Sequence, residues 1–341
     1  LTEAYASACD ANDEGIFSTQ HGSQNTTISI GGQVEKIPEF MFACLPLTSI
    51  TIPSTVTEIG NDAFNACANL TSVTFEGGAT PLTIGYNTVG DDEGLFADSP
   101  NLASVVLNRE LNYTYPNPSS AAHGLFGNKS NLANVTLGNY VKNLSDYMFA
   151  NTGITTIDAS HVETIGKNVF SNSKLASITL GSSARTIGAN AFNSTKLTSI
   201  TIPNSVNSIG VNAFVNCDDL NELIIADGTG TLTVGYQDNG GADWGPFYDS
   251  PLKKIVLGRE IRYVDGNGNT FTPAEESDGF FANEDGGSVS AVLVDITDNV
   301  KAIQKYMFAG LKMTEITIPS SVTEIKDYAF YGCLSLTSIT I

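Results

Sequence analysis

The chain has 341 residues, 41% of them hydrophobic, and its 36 acidic and 16 basic side chains give a formal net charge of −20. Binding to nucleic acid or to an anionic membrane surface needs clustered lysine and arginine, so this composition excludes both as partners. No apolar run approaches the roughly 18 residues of a membrane-spanning helix, so no membrane insertion is expected in this segment.

The first residues, 1–32, are polar and precede the periodic part of the chain. We predict that they form an N-terminal cap, because a stack of repeats needs a polar end piece. The chain begins at Leu1 without an apolar signal region, which indicates a mature or trimmed form of an exported protein. The last repeat stops at Ile341 without a cap of its own, so we expect more chain or a covering partner there.

Residues 33–341 are built from one recurring phrase. The heptapeptide LTSITIP begins at Leu47 and returns unchanged at Leu197, and related copies follow a period of 21 to 23 residues wherever nothing is inserted. A fixed period of this length predicts a repeat solenoid. The pattern L-x-x-I-x-I marks about twelve repeat units, here called rungs, which begin at Leu47, Leu70, Leu102, Leu132, Ile154, Leu175, Leu197, Leu220, Leu252, Ala291, Met313 and Leu336.

The spacing within the phrase predicts the local structure of a rung. Apolar residues at i, i+3 and i+5 fit a bend followed by a short parallel β-strand whose last two apolar side chains face inward. Proline follows the phrase, as at Pro53 and Pro203, and ends the strand because it cannot donate a ladder hydrogen bond. A V-x-x-I-G segment forms the return side, with glycine expected at its turn: Gly60, Gly166, Gly188 and Gly210.

A phenylalanine closes each rung. The dipeptide AF or MF recurs in most rungs, and we predict a short helical or irregular turn that places this ring in the core. Stacked rungs then bury an apolar face that one rung could not bury alone. The predicted core rings are Phe42, Phe64, Phe96, Phe126, Phe149, Phe170, Phe192, Phe214, Phe247, Phe281, Phe308 and Phe330.

The chain also carries an internal duplication. Leu47 and Leu197 are 150 positions apart, as are Arg109 and Arg259, and later the offset grows to 159 between Tyr147 and Tyr306. A block of six rungs has therefore been doubled. We place the first block at about 33–190 and the second at about 191–341.

Two rungs of each block are long, and their extra segments are candidates for binding. The insertions span 76–95, 108–125, 227–246 and 258–280, and insertions in a solenoid map to loops on one face, often the binding face. Tyrosine and tryptophan there could act as rigid contact anchors. The candidate binding residues are Tyr86, Tyr113, Tyr115, Tyr236, Trp244, Tyr248 and Tyr263.

One insertion contains a calcium-like pattern. Asp265, Asn267, Asn269 and Glu276 match positions 1, 3, 5 and 12 of an EF-hand loop. Position 6 should be glycine but is Thr270, and no helices are predicted beside the loop. An ordinary acidic turn is the favoured interpretation, with calcium binding as the alternative.

The outward positions of the main strands are mostly small hydroxyls, for example Thr48, Ser49 and Thr51. A few residues interrupt this surface, among them Asp158, Asn221, Glu222, Lys253, Lys254 and Glu315. Such a uniform surface does not indicate one tight ligand, so the insert loops are preferred as the binding site.

The five cysteines include four that follow a phenylalanine by two or three residues: Cys44, Cys67, Cys217 and Cys333. We interpret them as buried thiols that belong to the repeat. A disulfide between Cys44 and Cys67, in consecutive rungs, is open. No CxxC pair is present, so no structural metal and no cofactor are expected.

The consensus LTSITIPxSVTEIGxxAFxxCxxLTSITI resembles the BspA-like leucine-rich repeat family of surface proteins over most of the chain, about residues 28–341. The resemblance implies a right-handed leucine-rich repeat solenoid, export to the cell surface or beyond, and adhesion to host extracellular matrix or cell-surface proteins. It supplies no catalytic residues.

The sequence therefore favours a non-enzymatic, adhesin-like module with a protein partner. Glycan binding through the aromatic insert loops is the alternative, and a structural spacer is a third hypothesis. No G-x-S-x-G elbow or phosphate-binding glycine loop is present, so no enzyme activity is expected.

Overall fold

The structure is a computed structural model, and it describes residues 27–86, 95–113, 119–236, 245–274, 279–281 and 292–341. The chain alternates between two rows of short strands, which we call row A and row B. Strands of row A are even-numbered and strands of row B are odd-numbered in chain order. A 3₁₀ turn at Ala121–His123 lies in the second long rung.

Row A contains the strands of the L-x-x-I-x-I phrase. They are β2 Ser49–Ile52, β4 Ser72–Phe75, β6 Ser104–Leu107, β8 Asn134–Leu137, β10 Thr156–Ala159, β12 Ser177–Leu180, β14 Ser199–Ile202, β16 Glu222–Ile225, β18 Lys254–Leu257, β20 Leu293–Ile296, β22 Glu315–Thr317 and β24 Ser338–Thr340.

Row B contains the return strands. They are β1 Lys36–Ile37, β3 Glu58–Ile59, β5 Leu82–Ile84, β7 Leu111–Asn112, β9 Asn143–Leu144, β11 Thr164–Ile165, β13 Thr186–Ile187, β15 Ser208–Ile209, β17 Leu232–Gly235, β19 Ile261–Val264, β21 Ala302–Ile303 and β23 Glu324–Ile325.

The predicted strand positions are confirmed. Every row A strand begins two residues after the predicted start of its rung, as β2 does after Leu47. Ile50 and Ile52 are buried, whereas Ser49 and Thr51 are exposed, as the i+3 and i+5 spacing predicts. Most strands pair in parallel with the strand of the next rung in the same row, so that Ile50 lies opposite Val73. The pairing of row A is interrupted between β8 and β10, between β12 and β14, and between β20 and β22.

The turn after row B forms a third hydrogen-bonded row. In consecutive rungs the N–H groups of Phe40, Phe42 and Cys44 donate to the carbonyls of Asn61, Ala63 and Asn65. Two residues of most such turns adopt left-handed backbone angles, as at Asn212 with φ 56° and Asn216 with φ 57°. Asparagine and aspartate tolerate this conformation better than other side chains, which explains their recurrence around the phenylalanine.

The twelve predicted phenylalanines stack in one column. Successive ring centroids lie 5.0 to 6.2 Å apart from Phe42 to Phe330, and most of the pairs are nearly parallel. Phe214 is fully buried between Phe192 and Phe247. The predicted core column is confirmed.

The glycines that follow row B strands have a different role from the one predicted. None of Gly60, Gly166, Gly188 and Gly210 has a positive φ. Instead, a Cβ at Gly210 would lie 2.4 Å from the backbone nitrogen of Ala189 in the preceding rung. Glycine is required here because the backbones of neighbouring rungs touch, and not because the chain turns in a left-handed conformation.

The repeated dipeptide Arg-Glu joins the long rungs to their neighbours. Arg259 is buried and donates to the carbonyls of Pro203 and Asn204, 3.1 and 2.9 Å away. The carboxylate of Glu260 accepts hydrogen bonds from the N–H groups of Lys301 and Ala302, where strand pairing between β19 and β21 is interrupted.

Arg109 and Glu110 make the equivalent contacts in the first block. Arg109 donates to the carbonyls of Pro53, Ser54 and Val56, and Glu110 accepts from the N–H groups of Lys142 and Asn143. In both blocks the glutamate carboxylate therefore accepts N–H groups of the next rung at a place where row B strand pairing is interrupted.

The cysteines divide into two classes. Cys67, Cys217 and Cys333 are free, and each thiol donates to a phenylalanine carbonyl of the preceding rung at 3.0 to 3.2 Å. Cys44 is disulfide-bonded. Since Cys67 is free, the Cys44–Cys67 disulfide is not formed, and Cys44 does not belong to the repeated thiol position.

Candidate functional site

The aromatic residues chosen from the insert loops are mostly buried. Tyr113, Tyr236, Tyr248 and Tyr263 each expose less than a tenth of their surface, because they pack inside the long rungs. Tyr115 and Trp244 lie outside the described residues. A binding role for the loop aromatics stays a prediction, and among the described ones Tyr86 is the most accessible, at 36% exposure.

Tyr86 and Tyr236 occupy equivalent positions, 150 residues apart. In the second block Phe271 stacks on Tyr236 with ring centroids 4.9 Å apart, and Tyr263 lies 4.8 Å away on another side. These contacts bury Tyr236, and burial also raises the pKa of Tyr263. Residues of the larger insertion in the second block therefore cover the Tyr236 ring, whereas the equivalent Tyr86 ring of the first block stays accessible.

The calcium-like loop is a small turn closed by its own hydrogen bonds. The N–H groups of Asn267 and Asn269 donate to Oδ1 of Asp265 at 2.9 and 2.8 Å, and the side-chain amide of Asn269 donates to Oδ2 at 3.0 Å. These donors lower the pKa of Asp265. Glu276 lies outside the described residues, so calcium binding stays a prediction.

Within the described part of the chain, no group of three or more histidine, cysteine, aspartate or glutamate side chains is placed to hold a metal ion. The described residues also contain no helix long and apolar enough to cross a membrane.

The outward face of row A is a regular surface. In the first block it presents Ser72 and Thr74 on β4, then Ser104 and Val106 on β6, and the pairing places these residues side by side. β8 continues the surface with Asn134 and Thr136. Most of these positions are small and uncharged, as the sequence predicts.

The same face of the second block is chemically different. β16, β18 and β20 present Glu222 and Ile224, Lys254 and Val256, and Leu293 and Asp295. Ile224 lies directly opposite Val256, and Leu293 lies opposite Lys254, diagonally adjacent to Val256. We call Ile224, Val256 and Leu293 the aliphatic patch.

Leu293 is the most exposed member of the aliphatic patch, at 64%. Neighbouring strands are about 4.8 Å apart, so the patch spans about 10 Å across three strands. A single exposed leucine is ordinary on a protein surface, but apolar side chains that adjoin one another mark a surface on which another molecule can bind.

Charged side chains surround the aliphatic patch. Lys254 donates to Glu222 across the strands at 2.6 Å, while Lys253 and Asp295 are exposed. An apolar centre with a polar rim is the arrangement found in protein–protein interfaces.

The internal duplication carries the signal for this patch in the sequence. At offsets of 150 and 159 residues, Ile224 stands where the first block has Thr74, and Leu293 stands where it has Asn134. Lys253, Lys254 and Glu222 are charged residues that interrupt the hydroxyl surface in the sequence. Their aliphatic neighbours were missed because hydrophobic residues in a strand phrase are ordinarily assigned to the core.

A second surface feature lies in the first block. A shallow polar depression of about 590 Å³ is lined by Thr48, Asn69, Thr71, Asn101, Ala103 and Asn131. The side-chain amides of Asn101 and Asn131 donate to the carbonyls of Ala68 and Pro100, at 2.7 and 2.9 Å. These bonds order the amides along successive rungs. The lining carries no charge, although the protein as a whole is strongly acidic.

Comparison with known proteins identifies one family. The family model described as BspA type leucine rich repeat region matches six copies, over residues 13–91, 93–221 and 287–341. No curated protein matches the chain.

Several solved structures resemble the chain. A leucine-rich repeat protein from Bacteroides ovatus has 20% sequence identity and a TM-score of 0.49, with 90% of this chain and 76% of that one covered. A leucine rich cell surface protein from Faecalibacterium prausnitzii has 21% identity and a TM-score of 0.32, covering 95% and 82%. The pneumococcal vaccine antigen PcpA has 14% identity and a TM-score of 0.34, covering 86% and 79%.

Proposed function

This chain belongs to the BspA-type leucine-rich repeat family, and we propose that it is a non-catalytic, surface-displayed or secreted module that binds other proteins in the manner of an adhesin. The disulfide at Cys44 supports export, because such bonds form and persist mainly outside the reducing cytosol. The proposed partner is an extracellular matrix or cell-surface protein of a host.

The aliphatic patch is the observation that carries this proposal. The regular hydroxyl surface of row A is maintained through most of the first block, yet the duplicated block replaces it with Ile224 and Leu293. Leu293 is exposed, and Ile224 and Val256 beside it are half-buried. Contiguous apolar side chains on an otherwise polar face support contact with a partner. A complete interface buries about 800 Å² on each side, so the patch would form its centre.

The partner would present an apolar side chain to Val256 and Leu293, with polar groups around it. Lys253 is exposed beside the patch and would attract an acidic group of the partner. The negative charge of the whole chain would in turn favour a partner with a basic surface further from the centre.

The internal duplication provides the test variant. Ile224→Thr together with Leu293→Asn gives the second block the residues of the first. Binding to immobilised fibronectin, laminin and collagen would be measured for the parent protein and for this double variant. We expect saturable binding that weakens at least about fivefold in the variant, since loss of a central hydrophobic contact costs more than about 1 kcal/mol.

The matched control is Thr51→Ala together with Thr74→Ala, which changes two outward row A residues of the first block, away from the patch. Its affinity should equal that of the parent, and both variants should keep the parental melting temperature because the changed side chains are outside the core. Equal binding by the patch variant and the parent would place the protein-binding site elsewhere. No binding to any protein would favour the spacer hypothesis.

The polar depression of the first block favours glycan binding as a second candidate function. Neutral amides and hydroxyls recognise sugar hydroxyls by hydrogen bonds, and Asn69, Asn101 and Asn131 repeat with the rungs as the units of an extended glycan would. A glycan array tests this candidate. Binding that is lost on changing Asn69→Ala, but unaffected by the patch variant, would support it.

A further inference from the structure

An apolar groove of about 340 Å³ lies at the N-terminal edge of the solenoid. Ile30, Val34, Met41 and Leu45 line it, and the first three of these are only partly buried against the core. β1, the first strand of row B in the described part of the chain, forms one side and pairs only with β3 there. An open strand edge beside an apolar groove promotes association with other chains unless something covers it.

Cys44 lies beside this groove, next to Leu45, and its position in the rung is unusual. It occupies the second left-handed position of its turn, with φ 62°, where other rungs have Ala66, Asn216 and Gly332. The free thiols Cys67, Cys217 and Cys333 come one residue later, where the side chain reaches the preceding rung. Cys44 therefore lies beside the groove at the N-terminal edge of the solenoid, and it does not occupy the repeated thiol position.

The cysteine count restricts the partner of Cys44. The chain has five cysteines, and Cys67, Cys217 and Cys333 are free. Cys44 is disulfide-bonded. The remaining cysteine is Cys9, in the stretch 1–26 that precedes the described residues.

We propose that the groove at the N-terminal edge is the docking site for residues 1–26 of the same chain, and that a Cys9–Cys44 disulfide holds this segment there. The connecting stretch is long enough, because 18 residues separate Cys9 from Ile28 and an extended chain spans about 3.3 Å per residue. Ile16 and Phe17, the apolar pair of this stretch, are suited to the groove. The proposal does not depend on the proposed adhesin function.

Formation of this bond is an oxidation. The two thiols lose two protons and two electrons, which are accepted by a thiol–disulfide oxidoreductase of the kind that acts on exported proteins. In a reducing compartment the Cys9–Cys44 disulfide would be reduced, and residues 1–26 would no longer be held at the apolar groove.

Peptide mapping tests the linkage. The unreduced protein is denatured, alkylated and digested, and its peptides are analysed by mass spectrometry. We expect three alkylated cysteines, Cys67, Cys217 and Cys333, and a linked peptide pair that contains Cys9 and Cys44. Alkylation of Cys9 or Cys44, or a disulfide between two chains seen on a non-reducing gel, would overturn the proposal.

Dye binding tests the cover. Cys9→Ser should increase the fluorescence of an apolar-surface dye and lower the melting temperature by roughly 5 °C, as expected for loss of a loop-closing disulfide. Ile16→Asp with Phe17→Asp should increase dye binding while the disulfide stays formed. Cys333→Ser, which removes a free thiol at the far end, should not increase dye binding. Unchanged dye binding in both N-terminal variants would show that the segment does not occupy the groove.

Discussion

At the scale of the residue, one ring per rung organises the core. Phe214 lies between Phe192 and Phe247, with centroid distances of 5.1 and 5.0 Å, and none of its surface reaches solvent. Offset stacking adds to the free energy gained by burial. Each ring therefore couples the rung before it to the rung after it.

We expect Phe214→Ala to lower the free energy of unfolding by about 3–5 kcal/mol, because it removes a large buried side chain and leaves a cavity in the column. Urea denaturation followed by circular dichroism measures the change. Tyr140→Ala, at a side chain that is 53% exposed, is the control and should change stability by less than about 0.5 kcal/mol. Equal effects for the two variants would contradict the ring column.

The repeated thiols act as small hydrophobic groups that each donate a hydrogen bond to a phenylalanine carbonyl of the preceding rung. Burial raises the pKa of Cys67 to about 12 and that of Cys217 to about 11. The folded protein therefore keeps both thiols protonated under conditions in which an unfolded chain, with thiol pKa values near 9, has begun to ionise.

This difference predicts a loss of stability at high pH. Below about pH 9 both thiols are protonated in the folded and in the unfolded protein, so the free energy of unfolding does not change with pH on their account. Above that pH the unfolded state releases protons first, so the free energy of unfolding falls by up to about 1.4 kcal/mol per thiol and pH unit, until the folded pKa is reached. The urea concentration at the unfolding midpoint should therefore be lower at about pH 10 than at about pH 8. This decrease should be smaller for a Cys67→Ala/Cys217→Ala variant than for the parent protein. An identical difference in the two proteins would count against the buried, hydrogen-bonded thiols.

At the scale of the element, close backbone contact sets the distance between rungs. A Cβ on Gly210 would lie 2.4 Å from the nitrogen of Ala189 and 2.7 Å from the carbonyl carbon of Gly188. Both are backbone atoms, so no side chain can move aside to make room. The glycine that ends a row B strand is thus a requirement of stacking.

We predict that Gly210→Ala destabilises the protein by about 1–3 kcal/mol, the cost of overpacking a tight contact. Gly230→Ala is the matched control, since a Cβ at Gly230 meets no atom within 4 Å. Thermal melting of the two variants distinguishes them. Similar melting temperatures would mean that neighbouring rungs can separate more easily than the structure indicates.

At the scale of the whole molecule, the charge is far from balanced. The chain has 36 acidic residues against 16 basic ones, and the ion pairs between described residues are mostly on the surface, as between Lys36 and Glu58. Exposed pairs contribute little to stability, so repulsion among the remaining carboxylates opposes the compact state.

Salt should therefore stabilise the protein. Raising sodium chloride from about 10 mM to about 150 mM shortens the Debye length from about 30 Å to about 8 Å. We expect the melting temperature to rise by a few degrees over this range, measured by calorimetry at neutral pH. A fall in melting temperature would mean that attractive surface pairs outweigh the net repulsion.

The amino-acid sequence by itself determined the repeating architecture. The starts of the row A strands, the inward positions of Ile50 and Ile52, and the phenylalanine column all follow from the spacing of apolar residues. This succeeds because each rung contacts only its neighbours, so a local pattern repeated along the chain also specifies the packing.

Tertiary structure alone decided which exceptional residues are accessible. Tyr86 and Tyr236 occupy equivalent positions, yet Phe271 covers only the second. Ile224 and Leu293 are far apart in sequence and become one patch through strand pairing across β18. The sequence period specifies the inside of a rung, whereas exposure depends on which insertion or neighbouring strand lies above each side chain, and no local pattern encodes that.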